Sequence, residues 1–317
     1  MAYKILIVRN DGIGDFILSL PAMQALRDNF PDARIILFTA SWQEELARNL
    51  KLFDEIIIWR TKNYLTSPQL IKYQYCRMFK LLPLIRHRRF NLGIDFKGNL
   101  VNYIFMRLAG IRLRFALRVK KNTHRLEAFR RLVKEATGSD VIREFTLPIP
   151  EQKRKEAEEF LVQEGIPQDR FCVIHPVARW KGKRWPKENF AQLSRLIAAE
   201  FGLKIIFVGA KEDLSQINAI RDTIKTETII AAGRLDLLHS AAIIKKASLF
   251  VGNDAGPMHI AGMFNIPTVG LFGQTDHNIF APLGIRTKII STPNKLPIDK
   301  ITVDEVFQAC RGLLDAR

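Results

Sequence analysis

Short apolar runs alternate with longer segments of helical periodicity along most of the chain. The run Lys4–Val8 is apolar apart from its first residue, which is typical of a strand buried on both faces of a sheet. The next segment, Asp15–Asn29, places Leu18, Ala22 and Leu26 on one helical face. The same criteria predict eight further strands, which are Arg34–Thr39, Asp54–Trp59, Leu92–Phe96, Phe171–His175, Leu203–Val208, Thr228–Ala231, Leu249–Gly252 and Thr268–Phe272.

Helical segments separate most of the predicted strands. Ser41–Glu44 and Thr302–Glu305 have the spacing of a capping box, and the second opens a terminal helix over residues 302–314. Such strand–helix alternation implies parallel sheets covered by helices on both faces, so the predicted fold class is α/β with doubly wound, Rossmann-like domains. Helices predicted in the second half are Glu188–Glu200, Glu212–Ile224, Leu237–Lys246 and Pro257–Phe264.

A stiff connector divides the chain into two predicted domains. Two prolines flank one residue in Leu147–Pro150, and a charged helix is expected from Glu151. We therefore place one domain at residues 1–150 and the other at residues 151–317, with the terminal helix able to pack back on the first. In such folds ligands bind at the carboxyl ends of the strands, so we expect a site in a cleft between two facing domains.

Composition indicates a cytoplasmic globular protein. Hydrophobic residues make up 47% of the 317, which is in the range of folded domains. The apolar start is too short for a signal peptide, and no later run reaches the roughly 18 apolar residues that span a membrane. The three cysteines and six histidines lack metal-site spacing.

Positive charge is concentrated in the first half. The net charge of the chain is +17. Residues 1–150 carry 26 basic and 13 acidic side chains, whereas residues 151–317 carry 23 and 19. This asymmetry favours an anionic partner for the first domain, and nucleic acid, an anionic membrane surface and a phosphorylated acceptor all satisfy it.

The turn after the first strand is the first candidate site. Gly12 and Gly14 allow a ligand to approach the backbone, and Asp15 falls at the start of the helix. A dinucleotide fingerprint would need glycine at position 17, which is Ile17. Asp15 is therefore either a helix cap or a functional carboxylate.

The second candidate site is the turn from the strand ending near Gly252 into a helix at Pro257. Pro257 has no N–H, so the backbone groups of Ala255, Gly256 and Met258 are the expected phosphate donors, with Asp254 and His259 beside them. The basic stretch Lys181–Arg184 could neutralise a diphosphate, and Glu212 could bond a ribose hydroxyl. Each feature has a structural alternative, as a cap, a packed histidine or a solvated loop.

Several motifs are missing from the sequence. It contains no Asp-x-Asp pair, no P-loop and no His-Glu-x-x-His. The usual metal–diphosphate site of metal-dependent sugar transferases is therefore absent, and we expect neither a metal nor a cofactor.

In combination, three stretches resemble glycosyltransferase family 9, the heptosyltransferases of lipopolysaccharide core synthesis. The resemblance spans nearly the whole chain, with the stretches in family order. They are Gly14–Ala22, Lys183–Pro186, and Asn253–His259 continuing to Gly270–Asp276.

The resemblance implies a GT-B fold that transfers heptose from ADP-heptose by inversion and without a metal. It assigns Asp15 as the general base and Lys183 as the diphosphate contact. The implied acceptor is an anionic lipopolysaccharide precursor, either Kdo–lipid A or a heptosylated core. The enzyme is expected to reach it by peripheral contact with the cytoplasmic face of the inner membrane. Nucleic acid is not expected as a partner. The predicted donor-binding residues are Asp254, Ala255, Gly256, Met258, His259 and Glu212, and the predicted acceptor-binding residues are Gly14, Arg60 and Lys97.

Four residues depart from the family pattern. Ala255 stands where threonine is common, Gln274 replaces a usual proline, and Val177-Ala178 replaces small hydroxyl residues or glycine. These departures keep open a transferase that uses another nucleotide sugar for a different surface glycan. A non-catalytic protein that binds nucleic acid or anionic lipid is the alternative of another class, because Arg107–Arg131 holds nine basic residues and one acidic residue.

Overall fold

The computed structural model describes residues 3–60, 75–166, 170–224 and 226–316. The chain divides into two compact units, residues 1–145 and residues 146–317. The division falls just before the connector at Pro148 and Pro150. Each unit contains one parallel sheet.

The first unit is built on a five-stranded sheet in the order β3-β2-β1-β4-β5. The chain proceeds from β1 outward to β2 and β3 and then crosses to β4 on the other side of β1. Right-handed crossovers in these two directions place helices on both faces of the sheet. On one face, Leu6, Val8 and Phe38 pack against Phe105 and Met106. The strands are β1 (Lys4–Arg9), β2 (Arg34–Ala40), β3 (Glu55–Trp59), β4 (Leu92–Asp95) and β5 (Leu113–Ala116), and the helices are α1 (Ile13–Asn29), α2 (Glu44–Arg48), α3 (Leu82–His87), α4 (Leu100–Leu108) and α5 (Arg125–Thr137).

The second unit has a six-stranded sheet in the order β11-β10-β9-β6-β7-β8. Its core packs residues such as Ile174, Val251 and Leu271 of the sheet against Phe190 and Ile197. The strands are β6 (Phe171–His175), β7 (Lys204–Phe207), β8 (Thr228–Ile230), β9 (Leu249–Asn253), β10 (Thr268–Phe272) and β11 (Thr287–Ser291), and the helices are α6 (Glu151–Gln163), α7 (Lys187–Phe201), α8 (Leu214–Arg221), α9 (Leu237–Lys246), α10 (Gly256–Met263), α11 (His277–Phe280) and α12 (Val303–Leu314).

Both sheets reverse their strand order beside their first strand. The reversal lies between β1 and β4 in the first unit and between β6 and β9 in the second. All the strand pairs are parallel, as Val8 opposite Asp95 and His175 opposite Gly252 illustrate. Ligands of doubly wound folds bind at this switch point, outside the carboxyl ends of the strands.

All nine predicted strands are present, with ends that differ by at most two residues. The sequence patterns missed β5 and β11, which lie at the edges of the two sheets. Each is partly exposed, so that arginine or lysine interrupts its apolar residues. A buried-strand pattern therefore does not develop in either segment.

Two predicted helix starts lie two residues too early, within short 3₁₀ helices. Ser41–Gln43 and Lys211–Asp213 form short 3₁₀ helices, so the α-helices begin at Glu44 and Leu214. The capping box at Thr302 is confirmed, because the Glu305 N–H donates to the Thr302 hydroxyl at 3.3 Å and the Thr302 N–H donates to the Glu305 carboxylate at 2.8 Å.

The terminal helix α12 buries its apolar side in the second unit. Val306, Phe307 and Cys310 belong to the same core as the β6–β11 sheet. This side contacts α7, β10 and β11, and packing of the helix back on the first domain stays a prediction.

Candidate active site

A buried arginine organises the turn between β1 and α1. The Arg9 side chain is 1% exposed, and its Nε lies 3.2 Å from Asp11 Oδ1 while its Nη2 lies 3.6 Å from Asp15 Oδ1. The guanidinium also donates to the Phe96 carbonyl oxygen and lies 5.3 Å from the centre of the Phe129 ring. One cation thus holds both carboxylates, and the sequence analysis did not identify it.

Asp15 is the third residue of α1, and Gly12 is the N-cap. Asp15 is therefore not the cap of this helix, although a carboxylate in the first turn still interacts favourably with the helix dipole. A Cβ atom on Gly12 would lie 3.2 Å from Asp15 Oδ2, so glycine leaves room for the carboxylate. The Asp15 side chain is 30% exposed. It is restrained by Arg9 and accessible to a substrate hydroxyl.

Asp11 is a second carboxyl group beside Asp15. Burial, reinforced by the neighbouring Asp15 carboxylate, raises its pKa to about 6 against the opposing charge of Arg9. The main-chain oxygen of Asp11 accepts hydrogen bonds from Trp42 Nε1 at 2.6 Å and Gln43 Nε2 at 3.1 Å. These bonds hold the turn at the carboxyl end of β1.

The raised pKa of Asp11 predicts how stability varies with pH. Ionisation of Asp11 destabilises the folded state. This loss of stability is absent below about pH 4, where Asp11 is protonated, and develops as the pH rises through about 6. Relative to wild type, Asp11→Asn should become more stable by roughly 2–3 kcal/mol between pH 4 and pH 7.5. Urea unfolding across this range measures the difference. The exposed variant Asp32→Asn is the control, and equal pH profiles for wild type and Asp11→Asn would contradict the prediction.

The other side of this switch point carries Asp95 and Lys97. Buried Asp95 accepts from the Lys97 N–H at 2.9 Å and from Asn102 Nδ2 at 2.9 Å. Lys97 Nζ donates to the Tyr75 hydroxyl at 3.3 Å, and its charge opposes the rise in the pKa of Asp11. Lys97 and Asp11 thus follow β4 and β1, the two strands that flank this switch point.

The two other predicted acceptor residues have different positions. Gly14 lies in the first turn of α1, next to Asp15. Arg60 is exposed and follows β3, an edge strand separated from β1 by β2. The structure therefore places Gly14 at the switch point and Arg60 away from it.

The second switch point contains a buried acid between a lysine and a histidine. Lys183 Nζ lies 2.5 Å from Asp254 Oδ2, and His259 Nε2 lies 3.8 Å from Asp254 Oδ1. The side chains of Asp254 and His259 are 7% and 4% exposed, and that of Lys183 is 27% exposed. Burial alone would raise the pKa of Asp254, but His259 and Lys183 together lower it. Asp254 is therefore an anion that fixes Lys183 at the mouth of the site.

At the start of α10, one of the three backbone N–H groups that were predicted to bind phosphate is not free. Ala255 is the N-cap, and Gly256 and Pro257 open the helix. The Met258 N–H donates to the Ala255 carbonyl oxygen at 3.2 Å. The prediction that the Met258 N–H is a free donor is wrong, because this hydrogen bond within the first turn of the helix already uses it. The Met258 side chain is buried against Gly270.

An open groove of about 530 Å³ lies beside Lys183. Its wall includes Arg179, which lies 5.1 Å from the centre of the Trp180 ring. The lining contains cations and no carboxylate, so the groove favours an anionic group. The lining residues are Arg179, Trp180, Lys181, Gly182, Lys183, Gln274 and Thr275.

Asn253 connects the two loops of the second switch point. Its Oδ1 accepts from the Trp185 N–H at 3.2 Å, and its Nδ2 donates to the Pro176 carbonyl oxygen at 2.8 Å. Asn253 is fully buried. It ties the loop that carries Lys183 to the end of β9, a positioning role that the sequence analysis did not assign.

Loss of the Asn253 amide should destabilise the protein. Asn253→Ala leaves the buried Trp185 N–H and the Pro176 carbonyl without their partner, which costs about 2–4 kcal/mol. Thermal unfolding measures the loss, and anion binding beside Lys183 should weaken because the loop that carries Lys183 is held less firmly. The control is Gln308→Ala, an exposed amide on α12. An unchanged melting temperature for Asn253→Ala would contradict this role.

Two further polar residues lie near the carboxyl edge of the second sheet. Glu212 is exposed, and it is Asp213 Oδ2 that accepts from the Ala210 N–H at 2.9 Å. Glu212, the predicted ribose contact, is therefore not the residue whose carboxylate orders the turn at Ala210. His175 ends β6, and burial lowers its pKa to about 4, so its imidazole is neutral at pH 7.

Two doubly wound units, each with polar residues at its switch point, make up the GT-B architecture that the resemblance implied. The model of glycosyltransferase family 9 (heptosyltransferase) matches residues 101–304, more than half of the chain. The chain belongs to this family. It is therefore an enzyme, a glycosyltransferase, as the sequence motifs predicted.

Known proteins of this kind match nearly the full chain. Lipopolysaccharide heptosyltransferase 3 of Escherichia coli is 26% identical over 293 residues, with 85% of this chain and 83% of the relative covered. A glycosyltransferase family 9 structure from Veillonella parvula superposes with a TM-score of 0.84 at 19% identity, with 99% of this chain and 98% of that one covered. The structure of the E. coli ADP-heptose lipopolysaccharide heptosyltransferase II has a TM-score of 0.77 at 20% identity, and 99% of each chain is covered.

Within the parts of the chain that the structure describes, no helix is both long enough and apolar enough to cross a membrane.

Proposed function

We propose that this enzyme transfers a heptose from ADP-heptose to the Kdo/heptose inner core of lipopolysaccharide, with inversion and without a metal. The observation that carries the proposal is the Lys183–Asp254–His259 cluster at the start of α10. A lysine fixed beside a helix N-terminus and a cationic groove can compensate the charge of a diphosphate. The relatives support the donor, since one is an ADP-heptose lipopolysaccharide heptosyltransferase.

The proposed reaction is a single displacement at the anomeric carbon. The acceptor hydroxyl oxygen forms the new bond, its proton passes to Asp15, and the bond from the anomeric carbon to the diphosphate oxygen breaks. The electron pair leaves with ADP, where Lys183 and the backbone at Ala255 and Gly256 stabilise the developing charge. Arg9 keeps Asp15 oriented for the proton transfer. Asp254 and His259 are the proposed sugar or phosphate contacts, with Glu212 a ribose contact from its exposed position.

The positive charge of the first domain supports the proposed acceptor and location. We propose that residues 1–150 bind the anionic lipopolysaccharide precursor and that residues 151–317 bind the nucleotide sugar. Gly14, Lys97 and Arg60 remain the proposed acceptor contacts, and Arg60 would meet a more distant part of a large acceptor. This role places the enzyme in the cytoplasm, at the cytoplasmic face of the inner membrane.

A donor panel tests the proposal. Purified protein is supplied with ADP-heptose, GDP-sugars or UDP-sugars, with and without a heptose-deficient Kdo–lipid A acceptor, in the presence of EDTA. Nucleotide release should require both ADP-heptose and acceptor. Acceptor-dependent release from a GDP- or UDP-sugar would favour the alternative of another surface glycan, to which the departures at Ala255 and Gln274 point. Loss of release in EDTA would contradict metal independence.

A further inference from the structure

Helix α4 exposes an apolar side to solvent. Leu100, Tyr103, Ile104 and Leu108 are 72%, 38%, 39% and 49% exposed. Their spacing along the helix places them on one face. We call these four residues the α4 face. The opposite side of α4 is buried in the first unit through Asn102, Phe105 and Met106, so the exposed side chains are not required to cover the sheet.

Arginines surround the α4 face. Arg107 lies within it, one turn from Tyr103 and Ile104. The Arg114 guanidinium lies 5.2 Å from the centre of the Tyr103 ring. A hydrogen bond from Arg114 lowers the pKa of Tyr103, and the charges of Arg114, Arg107 and Arg118 lower it further. The sequence has no acidic residue between Asp95 and Glu127, so no neighbouring carboxylate in this segment neutralises them.

A surface that has both apolar side chains and bordering arginines matches one kind of partner in both properties. The surface of a bilayer that contains anionic lipids accepts leucine, isoleucine and tyrosine into its interfacial region and offers phosphate oxygens to arginine. A nucleic acid would match the arginines but not Leu100, Ile104 and Leu108. A second copy of the chain would match the apolar residues but would bring two sets of arginines together.

We propose that the α4 face is a docking surface for an anionic lipid bilayer. The four apolar side chains enter the interfacial region, and Arg107, Arg114 and Arg118 contact lipid phosphates. The proposal rests on the exposure and charge of this face and does not depend on the identity of the sugar donor.

Vesicle co-sedimentation of the full chain tests the proposal. Phosphatidylcholine vesicles are compared with vesicles of an equimolar mixture of phosphatidylcholine and phosphatidylglycerol. Wild type should bind the mixed vesicles, and the binding should weaken as salt screens the arginines. The triple variant Leu100→Ser/Ile104→Ser/Leu108→Ser should bind at least about tenfold more weakly, because most of the apolar surface of the face is lost. Arg107→Gln/Arg118→Gln should lose about fivefold per arginine.

A matched control uses exposed apolar residues of the second unit. Val162 and Ile285 are 77% and 93% exposed, and Val162→Ser/Ile285→Ser should bind vesicles as wild type does. Circular dichroism and melting temperature show that each variant folds. Undiminished binding by the triple variant, or an equal loss in the control, overturns the proposal. The proposal is also overturned if wild type binds no vesicles but self-associates or binds RNA, and the triple variant loses that association or RNA binding.

An activity assay separates this proposal from the proposed function. With acceptor dispersed in detergent, the triple variant should release nucleotide at the wild-type rate, while with acceptor held in mixed vesicles its rate should fall. Equal rates with vesicle-held acceptor would overturn the docking role of α4. If wild type is inactive with every donor, the transfer reaction is wrong, and the co-sedimentation result alone decides the docking surface.

Discussion

Replacing Asp15 with asparagine is expected to lower the rate of sugar transfer by about 10²–10⁴-fold, the usual contribution of a general base. Asparagine has nearly the size of aspartate but cannot accept the acceptor's proton. Arg9 should stay in place, because it keeps the Asp11 carboxylate and the Phe96 carbonyl oxygen as partners. The affinity for nucleotide should not change, since the proposed donor site lies in the other unit.

The measurement for Asp15→Asn combines single-turnover kinetics with calorimetric titration of ADP. Asp28→Asn, an exposed aspartate in the last turns of the same helix, is the matched control. A rate within a few-fold of wild type would show that Asp15 is not the base. A parallel loss of nucleotide affinity would instead indicate a structural defect.

Replacing Lys183 with alanine should be almost as damaging, with a fall of about 10²–10³-fold in kcat and weaker binding of the donor. The leaving diphosphate loses the cation that compensates its charge. In addition, among the side chains that the structure describes, buried Asp254 retains His259 as its ion-pair partner. Its pKa should therefore rise in the variant, and the stability that ionised Asp254 provides should be lost at a higher pH as the solution is acidified.

Kinetics of nucleotide release and unfolding at pH 5 and pH 7.5 measure both effects of Lys183→Ala. Lys187→Ala removes an exposed cation four residues away, where the weak pair with Glu188 spans 3.9 Å, and it should behave as wild type. If Lys183→Ala raises KM without lowering kcat, Lys183 binds the donor equally in the ground state and the transition state and does not assist departure of ADP.

The strand pattern predicted most of the fold because the central strands are buried on both faces. Residues such as Ile5–Val8 and Phe171–Ile174 are fully buried, and they form uninterrupted apolar runs in the sequence. Edge strands β5 and β11 lack this pattern, since one side of each is partly solvated. Pairing with the neighbouring strands β4 and β10 places these two segments in their sheets. That pairing cannot be predicted from the residues of β5 and β11 alone.

The candidate site was predicted less completely than the fold. Asp15, Lys183 and Asp254 follow strands or begin helices, so motif spacing could locate them. Arg9 could not be recognised, because an arginine at the end of an apolar strand normally points to solvent, and its burial depends on Phe96 and Phe129 from distant segments.

Capping chemistry explains the smaller errors. Whether Glu212 or Asp213 orders its turn, and whether the Met258 N–H stays free, depends on backbone dihedral angles that residue type does not determine. The role of Asn253 likewise depends on contacts to Pro176 and Trp185, which lie 77 and 68 positions away in the sequence.

The most direct test of the central claim is transfer of heptose itself. Wild type, Asp15→Asn and Lys183→Ala are incubated with ADP-heptose and heptose-deficient Kdo–lipid A, and the acceptor is analysed by mass spectrometry. The account predicts that wild type adds a heptosyl residue to the acceptor and releases an equal amount of ADP, and that both variants add almost none. An acceptor that wild type leaves unmodified, or one that all three proteins modify equally, would contradict it.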